Sequence, residues 1–153
     1  MNTIVKTKIR NIENTDKLCV FNMMKDFYNS PAVIHKASDE TFLADIRACI
    51  EGSPYIEGFV FEADGKTAGY AMVAKSFSTE AGGICIWIED IYLKPEFRGY
   101  GIGKEFFNFV ENRYKDQAAR LRLEVEPSNA RAIEVYKKSG YEELPYMQMI
   151  KTL

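Results

Sequence analysis

Val5, Thr7 and Ile9 alternate with charged neighbours near the start of the chain, a period of two that predicts an opening strand over 3–10. The apolar spacing then becomes that of a helix. Val20, Met24, Phe27 and Tyr28 fall on one stripe behind a cap at Asn14 or Thr15. Asn29-Ser30-Pro31 stops this helix, because the residue before a proline is pushed out of the helical region. Ser38 opens a second helix, with Asp39 and Glu40 in the first turn where the helix dipole favours negative charge. Phe42, Ile46 and Ile50 share its inner face, and Gly52-Ser53-Pro54 ends it.

Two strands follow, 58–63 and 67–77, joined by Asp64-Gly65, a pair suited to a tight hairpin turn. Small residues at 78–83 lead into the strand 84–93. Here Ile84, Ile86 and Ile88 face one way, and Cys85, Trp87, Ile91 and Leu93 make the other face apolar too. Apolar character on both sides marks a central strand covered front and back. The next helix carries Ile102, Phe106, Val110 and Tyr114 on one stripe, with Phe107 beside it. Leu121, Leu123 and Val125 then alternate with Arg122 and Glu124 as a further strand. Pro127-Ser128-Asn129 opens a last helix through Lys138, with Ile133 and Tyr136 inward and Gly140 as a left-handed cap. Residues 141–144 and 147–150, split by Pro145, read as a closing pair of strands. The order β-α-α-β-β-β-α-β-α-β-β predicts a mixed α/β fold. No linker or repeat interrupts it.

The bulk numbers narrow the setting. At 153 residues the chain suits a single domain, 1–153, large enough for its own core. A net charge of −2 gives no basic field for a nucleic acid. No apolar run is long enough to span a membrane, and the first residues lack the apolar core of a signal peptide. The expectation is a cytoplasmic protein with no membrane partner. Cys19, Cys49 and Cys85 are odd in number and lie among apolar residues, which suits buried thiols rather than a disulfide framework. His35 is the single histidine, so no familiar zinc spacing can be assembled and no metal is expected.

The chemistry concentrates in 87–105, WIEDIYLKPEFRGYGIGKE. A buried strand breaks at Pro95 and passes through Arg98-Gly99-Tyr100-Gly101-Ile102-Gly103 into a helix. Three glycines at alternate positions leave the backbone N–H groups uncovered where that helix begins, and such a place favours an anion. A cofactor phosphate is the expected occupant. The dinucleotide fingerprint needs G-x-G-x-x-G, and this run is G-x-G-x-G. A P-loop needs Ser or Thr after Gly-Lys, and Gly103-Lys104 is followed by Glu105. What fits is R-x-x-G-x-G on a strand–turn–helix, with Glu89 and Asp90 upstream. This pattern resembles the GNAT superfamily of N-acetyltransferases, whose turn holds the pyrophosphate of acetyl-CoA. A second signature, from Asn129 through Tyr136 to Gly140-Tyr141, resembles the family's N-x-x-A-…-Y-x-x-x-G-[FY] helix, with Ala132 at its small position. The element order resembles the GNAT fold over nearly the whole chain, most specifically from Trp87 to Gly140.

The resemblance implies roles. Gly99, Tyr100, Gly101, Ile102 and Gly103 would hold the acetyl-CoA phosphates, with Arg98 and Lys104 adding charge. Ile91, Tyr92 and Leu93 match the strand that binds the pantetheine arm through its backbone. A splayed gap between this strand and 121–125 would admit the cofactor, and an amide there would polarise the thioester carbonyl. Asn129 matches the position that bonds the pantetheine arm, and Tyr136 matches the general acid. Seven residues separate these two, so both lie on one helix face. An amine acceptor arrives as ammonium at pH 7, and removing its proton costs about 4–5 kcal/mol. Glu89 stands where polyamine-type members place a carboxylate for this step, with Asp90 as its structural neighbour. Tyr28, His35, Trp87 and Glu126 are candidates for the acceptor pocket on position alone. The resemblance also implies a homodimer, with 147–153 as one place for the contact. The expected activity is therefore acetyl transfer to a small cationic amine by direct attack in a ternary complex. A protein lysine or N-terminus as acceptor, and a non-catalytic acyl-CoA-binding module on the same fold, remain open.

Overall fold

A computed structural model gives the fold and describes residues 5–153, so the expected start of the first strand at Thr3 and Ile4 lies outside the described residues. Five strands form one sheet in the order β1-β2-β3-β4-β5. They are β1 (Thr7–Asn11), β2 (Ile56–Ala63), β3 (Lys66–Ser78), β4 (Gly83–Leu93) and β5 (Ala118–Leu123). The first four run antiparallel, and β5 pairs parallel to β4. Asp64 and Gly65 both adopt positive φ, 49° and 77°, as the two-residue turn between β2 and β3 requires.

Helices cover both faces, as a sheet with two apolar sides demands. Against one face lie α1 (Lys17–Tyr28) and α2 (Asp39–Ile50), whose Val20, Met23, Met24, Phe42 and Ile46 bury against Val60, Tyr70, Met72 and Tyr92. Ser38 caps α2, its Oγ accepting from the Thr41 N–H at 3.2 Å. Against the other face lies α3 (Ile102–Tyr114), whose Ile102, Phe106, Phe107, Val110 and Tyr114 pack on Phe59, Phe61, Val73, Ile86 and Ile88. A fourth helix, α4 (Ala130–Lys138), starts at Asn129 and ends at Gly140, where φ is +90° and the Tyr141 N–H returns to the Tyr136 carbonyl.

The centre of β4 departs from simple alternation. Met72 of β3 faces Asp90, but the next residue, Val73, faces Ile88. Glu89 is the extra residue of a β-bulge. Because each strand position alternates faces, this one residue switches which core the strand serves. Ile86 and Ile88 pack toward α3, whereas Asp90 and Tyr92 turn to the α1/α2 side. The strand with two apolar faces is therefore two half-strands offset by one residue.

The expected closing strands at 141–144 and 147–150 do not form. A strand needs a neighbour about 4.8 Å away, and a cavity of about 1220 Å³ stands between the outer edge of β5 and the segment 141–146. At Pro145 the chain bends, and the Tyr146 N–H bonds to the nearby Leu144 carbonyl at 2.9 Å rather than to a ladder. The observed order is thus β-α-α-β-β-β-α-β-α.

Candidate active site

The turn after β4 carries the geometry that its glycines foretell. Gly99 and Gly101 have φ of +86° and +82°, which L side chains rarely adopt. A Cβ placed on Gly99, Gly101 or Gly103 would meet nothing within 4 Å, so this stretch of backbone faces open space. Gly101 is the N-cap of α3 and no side chain caps the helix. The Glu105 N–H already bonds to the Gly101 carbonyl at 3.1 Å, but those of Ile102, Gly103 and Lys104 find no acceptor among the described residues. Ile102, 1% exposed, anchors the helix start in the core, while Tyr100 and Lys104 point outward. Arg98 lies over the Tyr92 ring at 5.8 Å, its Nε donating to the Leu93 carbonyl at 2.9 Å.

Beside this turn the sheet opens. The last residue of β4 paired to β5 is Ile88, opposite Leu123, yet β4 continues to Leu93 while β5 stops. The Lys94 N–H donates to the Ala68 carbonyl of β3. Along an antiparallel pair such bonds recur at alternate residues, so Tyr92 directs its main chain to β3, and Ile91 and Leu93 direct theirs into the gap. The gap thus borders both the unspent peptide groups of β4 and the uncapped end of α3. A diphosphate fits this donor set: three free N–H groups, a helix dipole and a guanidinium held nearby.

Across the same strand lies a group of carboxylates. Asp90 is 3% exposed and accepts from the Tyr28 hydroxyl at 3.0 Å and the Tyr70 hydroxyl at 2.8 Å. Burial pushes its carboxyl up to about 6, against the pull of the two phenols. Glu89 is exposed; desolvation first, then Glu124 and Asp45, raise its carboxyl above the ordinary range. Asp45 of α2 is itself raised by burial. Among the described residues no cation pairs with Asp45, Glu89 or Glu124. Like charges gathered without a counter-ion favour a cation between them.

On the far side of the gap, Asn129 spends its Oδ1 on the Ala132 N–H at 3.3 Å, which leaves its amide nitrogen free. Tyr136 is half-buried, packed edge-on against Phe107 at 5.5 Å. Burial raises its phenol, and its hydroxyl makes no hydrogen bond to another described residue. A protonated, unengaged phenol is what a proton donor requires. The other pocket candidates separate. Tyr28 joins the carboxylate group; Trp87 lies under the Arg122 guanidinium at 4.1 Å; Glu126 accepts from Ser128 at the entry to α4; His35 is exposed. Asp45 and Tyr70 escape sequence reading. Asp45 left one signal, a charge three residues beyond Phe42 at the edge of the apolar stripe of α2.

Comparison with known proteins bears on this geometry. A family model described as Acetyltransferase (GNAT) family matches residues 20–141. A thialysine N-epsilon-acetyltransferase of Bos taurus is 42% identical over 77 residues, covering 50% of this chain and 45% of that protein. The match thus spans a little under half the length of that relative. The Mus musculus protein of the same name is 28% identical over 152 residues, covering 92% of this chain and 87% of its own. Among solved structures, AAC(6')-Iy in complex with a bisubstrate analog, CoA-S-monomethyl-acetylneamine, superposes with a TM-score of 0.80 at 18% identity. It covers 97% of this chain and 99% of that one.

Proposed function

Since the chain belongs to the GNAT acetyltransferase family, we propose that it moves the acetyl group of acetyl-CoA onto the amino group of a small cationic acceptor, by direct attack in a ternary complex. One observation carries this reading: the unspent N–H groups at Ile102, Gly103 and Lys104 lie beside a β4 edge left unpaired beyond Ile88. Acetyl-CoA supplies a thioester, an acyl group activated for attack by an amine. The N–H groups of 102–104, with Arg98, grip its diphosphate, and Ile91 and Leu93 offer peptide groups to the pantetheine arm. An N–H on this edge stabilises the negative charge that develops on the thioester oxygen. Asn129, through its free amide nitrogen, holds the arm from the other side.

The acceptor side is supported by charge. Asp45, Glu89 and Glu124 attract an ammonium, and Glu89 takes its proton, directly or through one water. Its raised carboxyl suits it to that exchange. The amine nitrogen bonds to the acyl carbon, the carbon–sulfur bond breaks, Tyr136 protonates the departing thiolate, and the second proton, shed by the nitrogen as it becomes an amide, restores the phenol through water. The unpaired apolar tail supports a homodimer. No helix among the described residues is long and apolar enough to cross a membrane.

Following thiol release from acetyl-CoA with a panel of amines tests the reading. Diamines and lysine-like amines should turn over fastest, and neutral amines poorly. Binding of CoA with no thiol release from any amine would instead make this an acyl-CoA-binding module. Gly101→Ala is expected to weaken CoA binding at least tenfold by titration calorimetry. A left-handed alanine costs about 1–2 kcal/mol, and its methyl group would enter the space that the diphosphate needs. Unchanged affinity would remove the phosphates from this turn.

A further inference from the structure

Arg10, Arg98, Arg113 and Arg120 each spend their guanidinium on a carboxylate or a carbonyl. Arg122 of β5 is half-buried and spends its own on neither among the described residues; it lies instead over the Trp87 ring, 4.1 Å from the centroid. A flat guanidinium seated on an indole is held in place with its charge intact, while the N–H groups along its rim stay available. Two acids lie close by. Glu80 feels the charge of Arg122 but is held by Arg120 at 3.0 Å and by the Tyr146 hydroxyl at 3.1 Å. Glu124 stands two residues further on, about 7 Å along an extended chain, and makes no ion pair among the described residues.

This unspent cation shares a sheet face with the carboxylates of the acceptor side. Ile86 and Ile88 point to α3, so Trp87 between them points the other way, toward the side of α1 and α2. Trp87 is opposite Arg122 in the ladder. Glu89, two residues along β4, is acted on by Glu124 and by Asp45 of α2. One row across the two strands is therefore a ring bearing a cation, and the next is a pair of carboxylates about 7 Å beyond it. Arg122 and Glu124 both border the cavity beside β5, so neither head is sealed by packing.

We propose that Arg122, seated on Trp87, binds a carboxylate at the far end of the acceptor, so that the acceptor is a free amino acid with its reacting amine and its carboxylate at opposite ends of a short alkyl chain. The ammonium sits among Glu89, Glu124 and Asp45, and the carboxylate meets the rim of the guanidinium, a two-pronged match of planar groups. Extended lysine has about that separation between its carboxylate and its ε-amine. A diamine of the same length would set its second ammonium against Arg122, and a lysine within a protein chain has no carboxylate to offer there. Which end is acetylated rests on the acetyltransfer reading, whereas the two-ended grip does not.

Thiol release from acetyl-CoA with L-lysine, L-lysinamide and cadaverine tests this, because the three share one alkyl chain and one terminal amine and only the first carries a carboxylate. The intact protein should give L-lysine a kcat/KM at least tenfold above either of the others, chiefly through KM. Arg122→Gln should bring L-lysine down to the level of L-lysinamide, and Arg122→Lys, which keeps the charge without the flat fork, should recover only part of the preference. Should Arg122→Gln fail to fold, Trp87→Leu, which removes the platform, should reduce the same ratio. Equal use of the three amines by the intact protein overturns the proposal and leaves acetyl transfer standing. A loss in Arg122→Gln shared equally by all three does the same, since it makes Arg122 structural. If no amine releases thiol, the acetyltransfer reading falls and ligand-detected NMR decides the grip alone. L-lysine binding that is lost in Arg122→Gln then supports it, and equal binding of L-lysine and L-lysinamide, or none of either, overturns it.

Discussion

Tyr136→Phe is expected to lower kcat about 10²–10⁴-fold, the range for loss of a positioned general acid, while leaving CoA affinity unchanged. The phenol packs on Phe107 and makes no hydrogen bond within the described chain, so the lost oxygen leaves no orphaned partner and the fold should hold. Two readouts separate an acid from a merely structural ring. Acetyl donors with a more acidic leaving thiol should lose less rate in the variant, because their thiolate needs less help. Affinity for CoA and the melting temperature should stay within error of the parent. A uniform loss across thiols, or a weakened CoA complex, would assign Tyr136 to packing.

Asp90→Ala is expected to destabilise the fold by about 2–4 kcal/mol in urea denaturation, because two phenols lose their acceptor and buried unsatisfied groups cost about 1–3 kcal/mol each. Tyr70 is fully buried and cannot turn to water, so it bears most of this cost. Adding Tyr70→Phe to Asp90→Ala should restore part of the loss, and that coupling identifies the bond. The pH dependence has a definite sign. The Asp90 carboxyl rises from 3.8 to about 6 in the folded chain. A carboxyl raised by folding stabilises the native state when protonated. Its contribution is full below about pH 3.8 and is lost as pH climbs through about 6. Relative to Asp90→Asn, which stays neutral, the parent should therefore melt at a higher temperature at pH 4 than the same comparison gives at pH 7. A difference flat across that range would mean that burial does not hold the carboxyl up.

Features set by neighbouring residues could be read from the chain before the fold was known. Ser38 capping α2, Asp64-Gly65 turning the hairpin and Gly140 as the left-handed cap of α4 all follow from a few adjacent residues. The bulge did not announce itself, because apolar residues on both faces of β4 conceal a change of parity. Asp90 could be assigned as a structural carboxylate but not given its partners, since Tyr28 lies 62 residues away and Tyr70 lies 20. The tail misled for another reason. Its apolar residues suit a strand, but such a pattern does not state whether an edge lies within reach, and 141–150 pairs with none.

The extra residue in β4 reaches further than the hydrogen bonds it disturbs. A bulge sharpens the local twist, and Glu89 follows directly on Ile88, the last position at which β4 and β5 still touch. From that point β4 keeps its pairing with β3 and makes none with its parallel neighbour. One inserted amino acid thus sits where the crevice begins, and deleting it is expected to extend the pairing with β5 over the peptide groups proposed to meet the thioester.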